Sequence, residues 1–136
     1  MPQIAVTDIY EKSCLALTKH GAAPWIADEV AKAVARAEAL GNIICGLYYL
    51  ESYCIQLKSG RVKGDVEPEV QMIRPGFIKS DARYGFAQPA FTRALPMALE
   101  AARTNGTVTL AVAHAHTCTS LGYFTEQIAE AGFLAI

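Results

Sequence analysis

A short, almost wholly apolar run, Val108 to Ala113, is followed at once by His114, His116 and Cys118, then by Thr119 and Ser120 and the amphipathic stretch Tyr123 to Ala131. The run reads as a buried strand and the stretch after it as a helix. A chain built this way must wrap other elements around that strand, and it places polar side chains where the strand gives way to the helix. Side chains alternate along an extended segment, so His114, His116 and Cys118 are expected to share one side if strand geometry lasts that far. Two of the three histidines in the protein fall here.

The preceding chain supplies the wrapping. Thr7 or Asp8 is a candidate cap for a first helix through Lys19, with Ile9, Leu15 and Leu17 as apolar positions and Gly21 as its stop. Pro24 suits the first turn of a second helix in which Ile26, Val30, Val34 and Ala37 recur every three or four residues, closed by Gly41. Both are expected to form a helical layer on a sheet. A third helix, Ile44 to Lys58, is apolar nearly all round, and would set Cys45, Tyr49 and Tyr53 in one row. Glu69–Ile73 and Phe77–Asp81 read as strands joined by a turn at Arg74, Pro75 and Gly76. A glycine-punctuated segment, DARYGFAQ, then leads to a fourth helix opened by Pro89, ended by Asn105 and Gly106, and expected to kink or split at Pro96. Thr119 or Ser120 is the expected cap of the last helix and Gly132 its stop. The final FLAI looks like a strand just begun, which leads to the expectation of a fragment or a subunit of a larger assembly.

At 136 residues the chain has the length of a single domain, residues 1–136, able to bury roughly two thirds of its unfolded surface. Its apolar fraction, 52% against 18% charged, exceeds what a small monomer needs and predicts a covered interface with another chain or domain. No apolar stretch approaches the ~18 residues of a membrane span. A net charge of -1 without a basic cluster excludes the electrostatic footprint of a nucleic-acid binder. The first residues have no basic start followed by an apolar core, so no signal peptide is expected and the default location is cytoplasmic. Cys14, Cys45, Cys54 and Cys118 form no CxxC pair, which suits reduced thiols.

Three stretches carry a resemblance. GLYYLESYCIQLKSG is similar to a helix, DARYGFAQ to a D-G-x-x-G-x-G-Q turn, and VAHAHTCTSLGYFTEQIAEAG to a V-x-x-S-x-H-x-G-x-L-G-x-Y segment, of the malate/L-lactate dehydrogenase family of the non-Rossmann type. That family includes sulfolactate dehydrogenases and Δ1-piperideine-2-carboxylate and Δ1-pyrroline-2-carboxylate reductases. The resemblance covers the amino-terminal portion of a family member, its substrate and dimerisation part. It implies an α/β fold, sulfolactate dehydrogenase-like, with helices packed on a small mixed sheet and a cofactor domain absent from this chain.

The resemblance also assigns site positions. The family's Ser-His-Gly, with its proton-transferring histidine, falls on Ile44, Cys45 and Gly46, and its substrate-holding arginine falls on Tyr49. Aligning on Leu121, Gly122 and Tyr123 puts Thr117 at the histidine of the third motif, with His116 one residue early. Cys45 and His116 are therefore the expected catalytic residues, and Tyr49, Tyr53, His114 and Thr117 the expected contacts to a small carboxylate substrate. Thr119 and Ser120 are the expected cofactor contacts. NADPH or NADH would be bound mainly by a segment outside this chain, in a homo- or hetero-oligomer or with a second polypeptide. Hydride transfer to C=O or C=N needs a proton donor, and a cyclic imine, which can arrive already protonated, asks less of one than a ketone does. A cyclic 2-imino acid is thus the favoured substrate and a 2-oxo acid the next. The alternative is a non-catalytic interaction subunit that has lost the Ser-His and Arg site. A zinc site at His114, His116 and Cys118 lacks a fourth ligand nearby, and no metal is expected.

Overall fold

The computed structural model describes residues 3–136; Met1 and Pro2, the start of the segment read as leaderless, lie outside the described residues. The chain divides into two compact units, one ending at Asp65 and the other beginning at Val66.

The first unit is helical. Helix α1 (Val6–Lys19) and helix α2 (Pro24–Ala39) pack along each other, and α3 (Leu47–Lys58) packs on both. Ile26, Val30, Val34 and Ala37 are all buried, as the spacing requires. In α1 the buried row is Ile9, Ser13 and Leu17, one residue every turn, and Leu15 faces outward. That helix begins one residue before Thr7 with Ala5 as its cap, so neither Thr7 nor Asp8 caps it. Gly64 closes the unit by accepting the Ala23 amide on its carbonyl, in a spot where an added Cβ would lie 2.5 Å from the Gly21 carbonyl oxygen.

Helix α3 starts three residues later than its pattern suggests. Residues 43–46 form a turn, and the Glu38 carboxylate accepts the Leu47 amide at 2.7 Å, sealing the helix start from α2. Ile43 and Ile44 continue the apolar pattern but lie outside the helix and are exposed. Only Tyr53, Cys54 and Leu57 of α3 are buried, while Tyr48 is 78% exposed.

The second unit holds a three-stranded mixed sheet in the order β1–β2–β3, with β1 (Glu69–Arg74) antiparallel to β2 (Phe77–Asp81) and β3 (Thr109–Ala113) parallel to β2. Between β2 and β3 runs α4 (Ala87–Asn105), giving a strand–helix–strand crossover. Ala94, Ala98 and Ala101 let α4 lie close on Ile78, with Val70, Val108 and Leu110 around that contact. Buried Ser80 donates from its hydroxyl to the Ala90 carbonyl at 2.7 Å, fixing β2 to the first turn of α4. Pro96 does not split α4, because it stands on the exposed face where water can satisfy the backbone. Gly106, at φ +80°, ends it.

Two expectations change here. Strand β3 is an edge of the described sheet with no fully buried residue, because only one of its sides has a neighbouring strand and α4 covers it in part. FLAI forms no strand: after α5 (Leu121–Glu130) and Gly132 the backbone is irregular and Leu134 is 90% exposed. Helix α5 contains no fully buried residue and is held through Phe124, edge-on to Phe91 at 4.9 Å.

Candidate active site

The carboxyl ends of β2 and β3 lie side by side, Asp81 opposite Ala113. The two loops that follow continue the pairing: the Ala82 amide donates to Ala113, Tyr84 to the His114 carbonyl, and His116 to the Gly85 carbonyl, at 2.7–2.9 Å with the Gly85–Ala82 turn included. Clefts beyond the carboxyl ends of parallel strands are where α/β sheets place ligands.

At the mouth of these loops the Asp81 Oδ2 stands 2.8 Å from His114 Nδ1. Asp81 Oδ1 accepts the Arg83 amide at 2.9 Å, and Lys79 Nζ lies 3.6 Å from Oδ2. The Arg83 amide first, and His114 after it, hold the Asp81 carboxyl below the usual aspartate range. An ionised carboxylate only accepts, so His114 Nδ1 is the donor and Nε2 is the nitrogen left for chemistry. Tyr84 lies against the imidazole, ring centroids 5.3 Å apart. The His114 side chain remains half exposed.

Backbone strain gathers in the same loops. The only non-glycine residues with positive φ among the described residues are Arg83 (52°), Tyr84 (66°), His114 (47°) and Thr119 (56°). Such conformations cost on the order of 1 kcal/mol or more each and collect where function requires them. Thr119 occupies the glycine position of the third motif quoted above, which accounts for its left-handed turn. Strand geometry therefore stops at Ala113, and His114, His116 and Cys118 do not line up on one side. Among the described residues no three His, Cys, Asp or Glu side chains gather as a metal site.

The other expected residues fall in both units. His116 is half-buried, its ring edge-on to Phe86 at 6.0 Å. Thr117 is exposed and its hydroxyl accepts the Thr119 amide at 3.4 Å, while Thr119 Oγ1 donates to the Cys118 carbonyl at 2.8 Å. Ser120 precedes α5 without capping it through its side chain. Cys45, Tyr49 and Tyr53 belong to the first unit. Cys45 sits in the turn before α3, its amide donating to Asn42, so the expected row of three does not form. Tyr49 and Tyr53 do pair, edge-on at 5.1 Å, but Tyr53 is only 1% exposed and has no surface to offer a substrate.

Sequence reasoning passed over Asp81, Tyr84 and Gln88. All three lie in DARYGFAQ, whose aspartate and glutamine were the available signal. Gln88 is fully buried and its Nε2 donates to the Cys118 carbonyl at 3.4 Å, joining the two loops from below.

The sequence profile of malate/L-lactate dehydrogenases matches residues 4–136. The chain belongs to this family. A Δ1-pyrroline-2-carboxylate/Δ1-piperideine-2-carboxylate reductase of Pseudomonas syringae pv. tomato is 34% identical over 86% of the chain, which covers 34% of that reductase. A (2R)-3-sulfolactate dehydrogenase (NADP(+)) of Chromohalobacter salexigens is 34% identical over 89% of the chain and 36% of the relative. In three dimensions the crystal structure of Δ1-piperideine-2-carboxylate reductase from P. syringae superposes with a TM-score of 0.93 at 30% identity, over 97% of this chain and 40% of that one. Malate dehydrogenase from Entamoeba histolytica shares the fold, with a TM-score of 0.88 at 21% identity over 96% of the chain and 37% of that protein. The chain thus spans between a third and two fifths of these relatives' length.

Among the described residues no glycine-rich turn leads from a strand into a helix, and α5 begins after Thr119 and Ser120 without a side-chain cap.

Proposed function

We propose that this chain forms, together with a further segment or a second polypeptide, a reductase of small cyclic 2-imino acids of the Δ1-pyrroline-2-carboxylate type. Small 2-oxo acids of the malate and lactate type are its weaker substrates. The observation that carries this reading is the likeness to the Pseudomonas imino acid reductases, at 34% and 31% identity over 86% and 100% of the chain. NADPH or NADH supplies the hydride when bound, and most of its site belongs to a segment outside this chain. Thr119 and Ser120, at the start of α5, would reach one of its anionic groups.

Residue chemistry supports the choice of an imine. With Cys45 and Tyr49 at the positions of the family's histidine and arginine, the first unit offers a weak thiol donor and a hydroxyl where an imidazole and a guanidinium are usual. A protonated imine carries its own acid, so it tolerates that exchange better than a ketone. Cys45 and His116 are candidate proton donors, and Tyr49, His114 and Thr117 candidate contacts to the carboxylate substrate. Exposed Ile43, Ile44 and Tyr48 on the first unit support assembly with another polypeptide, and a cytoplasmic location completes the reading.

The test is NAD(P)H oxidation by the assembled protein, after native mass has defined its composition. We expect kcat/KM for Δ1-pyrroline-2-carboxylate to exceed that for pyruvate by roughly tenfold or more, about 1.4 kcal/mol of transition-state energy. A preference for pyruvate would overturn the substrate assignment. Nucleotide binding without turnover of either compound would favour the second reading, an interaction subunit, to which the missing Ser-His and Arg point.

A further inference from the structure

The reductase reading offers Cys45 and His116 as proton donors and His114 as a substrate contact, but the second unit contains a pair, not described by the family motifs, that suits His114 to the proton transfer instead. His114 stands just past the end of β3 in a left-handed conformation, its Nδ1 held 2.8 Å from Asp81, its ring flanked by Tyr84, and its side chain half exposed. The quoted motifs place their histidines at positions filled here by Cys45 and Thr117, so neither of those offers an imidazole. His116, the other nearby histidine, is half-buried against Phe86.

We propose that His114 is the catalytic acid of this chain, delivering a proton from Nε2 to the imine nitrogen of the substrate, with Asp81 as its positioning residue. The proposal rests on the reductase reading above. Asp81 accepts the Nδ1 proton and so directs the second N–H of the imidazolium, at Nε2, away from itself. In the step, an imine that arrives unprotonated takes the Nε2 proton on its nitrogen as the C=N π bond breaks and its carbon takes a hydride from a reduced nicotinamide. The imidazolium becomes neutral imidazole and is reprotonated by solvent. The Arg83 backbone amide and the Lys79 ammonium stand beside the Asp81 carboxylate, and they favour the ionised state on which the arrangement depends. Arg83, Tyr84 and His114 are all left-handed, and the Tyr84 amide donates to the His114 carbonyl, so the two loops hold the pair side by side.

The experiment uses the assembled protein with Δ1-pyrroline-2-carboxylate, comparing wild type with H114N, H114Q, D81N and, as a control in the first unit, H20N. Loss of a general acid lowers kcat by ~10²- to 10⁴-fold, so H114N and H114Q should fall by that factor where the unprotonated imine prevails, and by less in mild acid where the imine brings its own proton, with KM within about threefold, while H20N is unchanged. Added imidazole should restore part of the H114N turnover. Nitrogen NMR of the neutral His114 ring should show the Nδ1–H tautomer in wild type and a shift toward Nε2–H in D81N, a signature that general destabilisation would not produce. Full turnover in folded H114N and H114Q would overturn the proposal alone. A wild-type protein that reduces no imine or 2-oxo acid would instead remove the reductase reading, and the proposal with it.

Discussion

At the scale of single residues, the Asp81–His114 pair also makes a statement about stability. The folded state lowers the Asp81 carboxyl through the Arg83 amide and His114, so its contribution is complete above the unfolded carboxyl value, ~3.9, and is lost as pH falls through the lower folded value. Thermal melts of wild type and D81N should therefore differ at neutral pH and converge in strong acid. Gly64 makes a sharper demand. A Cβ there would meet the Gly21 carbonyl, Leu57 and the Ala22 backbone, all within 3 Å, and two of those are backbone that cannot swing aside. We expect G64A to cost ~1–3 kcal/mol in urea titrations, as overpacked sites do. Neither feature was legible in the sequence. Asp81 and His114 are 33 residues apart, and a positive φ at histidine leaves no compositional trace.

Among the elements, those with local punctuation were legible and those with distant partners were not. Helix α2 begins at Pro24 and ends before Gly41, and β2 occupies Phe77–Asp81, because a proline and an Arg-Pro-Gly turn mark them from within. The start of α3 was misplaced because its cap, Glu38, comes from another helix. The burial of β3 was overestimated because apolar composition does not reveal whether a strand is central or at an edge. Packing on Ile78 by three α4 alanines predicts that I78A opens a cavity costing ~2–5 kcal/mol, measurable as a lowered denaturation midpoint. Helix α5, without a fully buried residue, should exchange its amide hydrogens faster than α4, and F124A should widen that gap by removing its contact with Phe91.

For the whole molecule, family and fold class were legible because three separated motifs agreed on them. The candidate site was legible in its second half as a location, the loops after β2 and β3, but not as a geometry. In the first unit, the feature with the longest reach is the Glu38 carboxylate at the start of α3. Because α2 itself supplies the cap, the turn from Asn42 to Cys45 is relieved of any duty in starting the helix it precedes. Those positions are free to be rewritten while both helices keep their places, and a lineage can exchange the residue at Cys45 by changing a hinge instead of a pillar. Gly46 marks the limit of that freedom, since a Cβ there would meet Glu38 and evict the cap; G46A and E38A should each cost about 1 kcal/mol, by chemical denaturation, whereas substitutions at Asn42 or Ile43 should cost far less.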